Sequence, residues 1–255
     1  MWDEIRNKIR ELHAVDRQLQ AFGAHAHGYE LRTRLRSSDI RKTEARIGVA
    51  LPEALRQFYL DLGNGVAGPF YGLEPAEKLE AYRPNDPYPG VAALKEIAAA
   101  EDGLSADHPG YFEVSHEALA GLLTVIHEGC GHETCLIVTG DHVGRIVHVS
   151  CDGYVEDTTD TLVDLYSRWL DRELERFAAV REMMLAGLSR VEIYDAMSTR
   201  YDDYDANDRI VSIADIPKPE SLFGRGGRGR HHGAVQFPWY DRVLADWQHV
   251  HRNRR

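Results

Sequence analysis

No stretch of the 255 residues approaches the roughly 20 consecutive apolar residues that a membrane-crossing helix requires. The first residues, Met1-Trp-Asp-Glu-Ile-Arg, lack the basic and apolar segments of a secretory leader, so neither a membrane span nor signal-directed export is expected. Cysteine is scarce: Cys130, Cys135 and Cys151 are an odd set in a long chain, which argues against a disulfide framework and for a reducing, cytoplasmic compartment. There is no G-x-x-x-x-G-K-[ST] loop and no Gly-x-Ser-x-Gly elbow. Gly224, Gly226, Gly227 and Gly229 are separated by arginines and follow no strand, so no dinucleotide fingerprint is present. His127-Glu128 superficially matches a zinc-protease helix. The next histidine is His132, one residue too late for an i, i+4 ligand pair, and two glycines intervene.

What is present is length for one large domain with an appendage, and an uneven distribution of charge. Residues 221–255 hold seven arginines against Asp241 and Asp246, or +5, which leaves −16 on residues 1–220 out of a total of −11. An acidic body repels nucleic acid and suits a basic protein partner, whereas the basic tail is able to touch polyanions or fold back on the body.

Ile5, Ile9, Leu12, Val15, Leu19 and Phe22 recur at helical spacing and predict a helix from Asp3 to Ala21, ended by Gly23. Ser38 is read as the N-cap of a short helix through Ala45, broken at Ile47-Gly48. Pro52 opens a helix carrying Leu55, Phe58, Tyr59 and Leu62, which Gly63-Asn64-Gly65 stops. Phe70-Tyr-Gly-Leu73 is compatible with a short strand, Pro84 to Pro89 with a loop, and Val91 to Ala100 with a helix. Residues 122–126, 135–139 and 145–149 are rich in β-branched side chains and separated by glycine-bearing turns. They predict three antiparallel strands joined by hairpins. Thr161 opens a long helix to Ala186 with Leu162, Leu165, Tyr166, Trp169, Leu170, Leu174 and Phe177 inward, and Ser189-Arg-Val-Glu192 forms a capping box for the next.

The densest group of potential metal ligands is His127, Cys130, His132 and Cys135, with Cys151 later. Cys135 opens an apolar strand, so the favoured reading is a hairpin turn with a core thiol and no metal. Cys130, the nearest thing to a nucleophile, sits between glycines that serve the same turn. Asp202, Asp203, Asp205 and Asp208 crowd a short stretch but lack the glycine and twelfth-position glutamate of a calcium loop, and read as a solvated acidic turn. Arg225, Arg228 and Arg230, spaced by glycines, form a short RGG-type segment, read as a linker with at most weak contact to RNA. It leads to a last apolar patch, Phe237 to Trp247, read as a short docking helix.

The order of motifs resembles a known family. Glu44 before Ile47-Gly48, then Leu51-Pro52, Phe58, Leu62 and Asn64-Gly65, is similar to the opening of the SUKH superfamily, which takes in fungal cell-wall synthesis regulators and bacterial toxin-immunity proteins. Gly72-Leu-Glu-Pro75, the Gly129-Cys-Gly131 turn, Leu136-Ile-Val-Thr-Gly140, Gly144 before Val147 and Trp169-Leu170 resemble a common bacterial branch of it. The resemblance covers residues 38–175. It departs from that branch at His132-Glu133-Thr134, where an aromatic pair is usual, and at His148, where tryptophan is usual.

The resemblance implies an α+β fold, a twisted mostly antiparallel sheet with packed helices, that works by binding another protein. The expected division is a SUKH-like domain over 1–185, a helical extension over 186–220, and a basic tail with a docking helix over 221–255. The expected function is that of a monomeric cytoplasmic bacterial immunity protein that blocks a cognate toxin, with no catalytic residue and no cofactor. A regulatory or scaffold module is the alternative, and a zinc-dependent enzyme using Cys130, His132 and Cys135 is a third. Candidate partner-binding residues are the acidic and aromatic side chains of predicted loops: Tyr71, Glu74, Asp86, Tyr88, Tyr111, Glu113, Glu133 and Asp141.

Overall fold

A computed structural model describes residues 1–17, 19, 21–100, 119–150 and 155–189, together with 192, 193, 196 and 197. Within them six helices and five strands follow one another as α1 (Trp2–Val15), α2 (Ala24–His27), α3 (Ser37–Ile47), α4 (Glu53–Asp61), β1 (Glu80–Tyr82), α5 (Gly90–Ala100), β2 (Leu122–Gly129), β3 (His132–Ile137), β4 (Arg145–Ser150), β5 (Val155–Thr161) and α6 (Leu162–Leu185). The fold is α+β, as the sequence predicts. Met1–His13 and Phe22–Asp171 pack as one unit, and a second takes in Ala14–Ala21 with the described residues from Arg172 onward.

The strands form one sheet in sequence order, every neighbouring pair antiparallel. Alternation along the strands sorts their side chains to two faces. Leu122, Cys135, Ile137, Val147 and Val155 share one, with Leu94 and Ala98 of α5 and with Leu119 in the same buried cluster. Leu123, Leu136 and Ile146, equally buried, point the other way. The first unit has a further aromatic core. Phe58 of α4 stands edge-on to Trp2 of α1 at 5.6 Å and tilted against Tyr166 of α6 at 4.9 Å, and Tyr166 meets Trp169 at 6.0 Å. Such pairs add to the burial of large apolar rings.

The predicted hairpins are present, and two further strands join them. β1 is only three residues long. β5 reads Val-Glu-Asp-Thr-Thr-Asp-Thr and has too little apolar alternation to be recognised without its neighbour β4. Thr161 caps α6 as expected: its Oγ1 accepts the Asp164 N–H at 3.3 Å, and its own N–H donates to the Asp164 carboxylate at 2.9 Å.

Three expectations need correction. The first helix stops at Val15, not Ala21. The buried Asp16 carboxylate accepts the Ala21 N–H at 2.9 Å while its carbonyl accepts the Leu19 N–H at 3.1 Å, and Leu19 takes a left-handed φ of 60°. A side-chain to main-chain bond of this kind offers the backbone an alternative to the next helical turn. Helix α3 begins at Ser37, with the Arg36 N–H donating to Asp39 at 3.2 Å, so Ser38 is not its cap. Residues 70–73 form a turn with Phe70 at φ 54°, and only Leu73 bridges to Ile126.

Gly68 and Gly23 are places where only glycine fits. A Cβ on Gly68 would lie 2.3 Å from the Tyr166 hydroxyl oxygen, and one on Gly23 1.7 Å from the Phe70 carbonyl oxygen. The capping box at Ser189 and Glu192 is formed, and Ile193 and Met197 are buried. Tyr111, Glu113, Cys151, the acidic turn at 202–208, Arg225, Arg228, Arg230 and the Phe237–Trp247 patch lie outside the described residues.

Candidate functional site

The structure sorts the predicted surface residues to opposite ends of the β2–β3 hairpin. β2 runs eight residues, roughly 25 Å at about 3.3 Å per residue, from Leu122 to the turn at Gly129. Tyr71, Glu74 and Glu133 belong to the turn end, and Asp86, Tyr88 and Asp141 to the other.

At the turn end Tyr71 is held on three sides and is 39% exposed. Phe22 lies 5.6 Å and His25 6.3 Å from its ring, and a Cβ on Gly129 would come within 3.1 Å of it. Its backbone is fixed between Phe70 at φ 54° and Gly72 at φ 85°, with the Gly72 N–H donating to the Pro69 carbonyl. An exposed ring so constrained loses little entropy when a partner covers it, the property of an interface anchor. Glu74 is tied inward by its main chain. Its N–H donates to the Val125 carbonyl at 2.8 Å and its carbonyl accepts the Tyr59 hydroxyl at 2.7 Å.

Glu133 projects from β3 on the same face as Thr124 and Cys135. Its carboxylate accepts the Thr124 hydroxyl at 2.8 Å and the Tyr82 hydroxyl at 3.1 Å, and lies 3.5 Å from His127 Nδ1. Burial, reinforced by the Glu133 charge, pushes the Tyr82 phenol up to about 12, so it stays a donor. Across the sheet, Glu128 is buried with its carboxylate 2.7 Å from His148 Nδ1 and 2.8 Å from the Thr134 hydroxyl that donates to it. Sequence reading singles out His148 and Thr134 only as departures from a pattern and misses their partner Glu128, because the β2–β3 register that joins them is a tertiary fact.

At the far end the Pro84–Tyr88 loop lies on the β3–β4 turn, with the Tyr88 N–H donating to the Thr139 carbonyl at 2.9 Å and the Thr139 hydroxyl to the Pro84 carbonyl at 2.5 Å. Asp86 pairs with Arg83 at 2.6 Å on the surface. Tyr88 is half-buried and donates to Asp157 at 2.6 Å, while the other oxygen of Asp157 accepts the Val91 N–H at the start of α5. Burial, then the Asp157 bond and charge, drives the Tyr88 phenol well above its ordinary range. Tyr88 is thus an internal brace between loop and β5, and the exposed groups here are Asp141, His142 and Val143. Asp157 escaped the sequence reading because β5 did.

The zinc reading of Cys130, His132 and Cys135 does not fit the geometry. His132 and Cys135 are three positions apart on one strand and so point to opposite faces. Full burial pushes the pKa of the Cys135 thiol far up, against a small opposing effect of the Thr124 hydroxyl, and disfavours the thiolate that a metal needs. Cys130 is exposed in the turn at φ 51°. Among the described residues no three histidine, cysteine, aspartate or glutamate side chains converge as a ligand set.

No curated protein matches the chain. The family model of SMI1/KNR4 (SUKH-1) matches residues 35–169, more than half of the chain, from the approach to α3 through all five strands to Trp169 in α6. On that match the chain belongs to the SMI1/KNR4 family (SUKH-1).

Proposed function

We propose that this SUKH-1 protein is a bacterial immunity protein that binds a cognate toxin in the cytoplasm, a nuclease or another effector enzyme, and blocks it by covering its working surface. The observation that carries this reading is the rigid, exposed Tyr71 on a body of net charge −16 over residues 1–220. Toxins that cleave nucleic acid present basic clefts. An acidic partner is steered to such a cleft by long-range attraction, and an aromatic anchor then holds the docked state. Asp141 at the far end of the hairpin is an exposed carboxylate that such a surface would include, whereas Asp86 is paired with Arg83. No described residue needs to do chemistry for this role. No described helix is long and apolar enough to cross a membrane.

The test is capture from lysate of the source organism with an amino-terminally tagged chain, followed by co-expression with the recovered protein. Recovery of one protein whose toxicity is suppressed on co-expression supports the reading. Recovery of regulatory proteins with no toxic member moves the assignment to a scaffold role. That second reading draws on a specific feature: residues 170–255 continue past the family match and include the basic segment with Arg225, Arg228 and Arg230.

A further inference from the structure

Residues 22–29 interlock with the turn at 70–72 that presents Tyr71. A Cβ on Gly23 would run into the Phe70 carbonyl, and one on Gly72 would come within 3.3 Å of His27 Cδ2. Phe22 stands edge-on to Phe70 at 6.2 Å, and Phe22 and His25 both flank the Tyr71 ring. His27 is the buried pin of this segment, with Tyr29 and Trp169 of α6 packed edge-on against its ring.

The pin fits in one protonation state. His27 Nδ1 accepts the Tyr29 N–H at 3.1 Å, so the proton of the neutral ring sits on Nε2, which is buried near the Gly68 backbone with no hydrogen-bond partner among the described residues. A second proton has only Nδ1 to bind. There it faces the Tyr29 N–H, donor against donor, and places a buried charge that no described carboxylate pairs with. The bond lost is one that restrains strain: Gly28 at φ 55° and Tyr29 at φ 56° are both left-handed, a conformation uncommon for an aromatic residue. The other titratable groups around this ring offer no compensation. They are His25 on the same short helix, His13 of α1 against Tyr29 at 5.7 Å, and the phenols of Tyr29, Tyr71 and Tyr166, the last with its hydroxyl at Gly68. His13 and His25 are exposed and add only positive charge in acid.

We propose that His27 is an acid-operated latch: a proton on Nδ1 releases residues 22–29 from the 70–72 turn, and Tyr71 loses its fixed position while the sheet stays folded. The release is local because the core cluster of Leu122, Cys135, Ile137 and Val147 with α5 contains no residue of either segment. The consequence for a partner, weaker binding in acid, rests on the reading of Tyr71 as the anchor. The latch itself does not.

The test is amide hydrogen exchange of the full chain by NMR, with no partner present, at pH 7 and pH 5 and at several low urea concentrations. The reporters are the Tyr29 and Gly72 amides, which donate to His27 and to the Pro69 carbonyl, against amides of the paired strands β2 and β3. With 6.5 for a released histidine and about 4 for the latched one, the released fraction rises about twentyfold between pH 7 and pH 5. The protection of Tyr29 and Gly72, corrected for intrinsic exchange, is expected to fall by that factor, to be lower than that of the strands, and to ignore low urea. His27→Gln, which keeps an acceptor and a donor on the side chain, abolishes the fall, and His25→Gln retains it. Protection that does not change with pH, or that falls equally in His27→Gln, overturns the latch. So does a urea slope equal to that of the strand amides, which makes the opening global, and this measurement on the unaltered chain decides the matter if His27→Gln folds poorly.

Discussion

His27 lies with only 8% of its surface exposed, packed edge-on against Trp169 and Tyr29 and in reach of Gly72, while its Nδ1 accepts the Tyr29 N–H at 3.1 Å. Burial, countered in part by the nearby Gly68 backbone and helped by the charge of His25, lowers its pKa to about 4 from 6.5. The ring is therefore neutral in the folded chain where the unfolded chain takes up a proton. Between those two values the unfolded state binds more protons, so stability falls as pH falls from 6.5 toward 4, by on the order of 3 kcal/mol in all. Urea midpoints measured across that window should show the loss, and His27→Gln should flatten it. Glu128 and His148 make a second residue-scale case. His148→Ala takes the imidazole away from a buried carboxylate and should cost about 3 kcal/mol, part of which Glu128→Gln in the same chain restores. Equal stability of the single variant and the wild type in denaturant titration would refute that pairing.

Among the elements, α6 carries both an aromatic anchor for the first unit and the strongest local start signal. Thr161 and Asp164 exchange hydrogen bonds at its first turn, and these bonds hold the Asp164 carboxyl below its ordinary range. Thr161→Ala should lower stability by about 1 kcal/mol, read as a shift in the midpoint of helix-monitored unfolding. Punctuation of this kind is local chemistry, which is why the starts of α4 and α6 can be read from Pro52 and Thr161 along the chain. The end of α1 is different. The helical stripe continues through Leu19 and Phe22, and nothing in their spacing reveals that Asp16 is buried and bonded to Ala21. Strand β5 is different for the opposite reason: its acidic and threonine-rich composition looks like a loop, and its pairing with β4 supplies the hydrogen bonds that make it a strand.

For the whole molecule, the acidic body and the Tyr71 anchor make separable predictions about association. Tyr71→Ala should weaken capture of the partner at least tenfold, chiefly through faster dissociation, while leaving the melting temperature within the range of a surface change. Raising salt should instead slow association, because steering by net charge is screened beyond about 10 Å at 0.1 M. Surface-based binding kinetics separate the two effects, and an association rate that ignores salt would count against the acidic surface.

Local pattern by itself determined the central β2, β3 and β4 strands and the starts of the longer helices, and the order of motifs, through its resemblance to a known family, implied the α+β class. The strands and helix starts rest on contacts within a few residues, or on a periodicity that any fold must bury. Tertiary structure decided the rest. It set Glu128 against His148, turned Cys135 away from His132, made Tyr88 a brace on Asp157, and left Tyr71 exposed on the Gly129 turn. A carboxylate in a predicted loop is acidic in either case. Whether it faces a solvent-borne partner or a hydroxyl of its own chain depends on the register between distant strands, and one-residue steps in that register send a side chain to the other face.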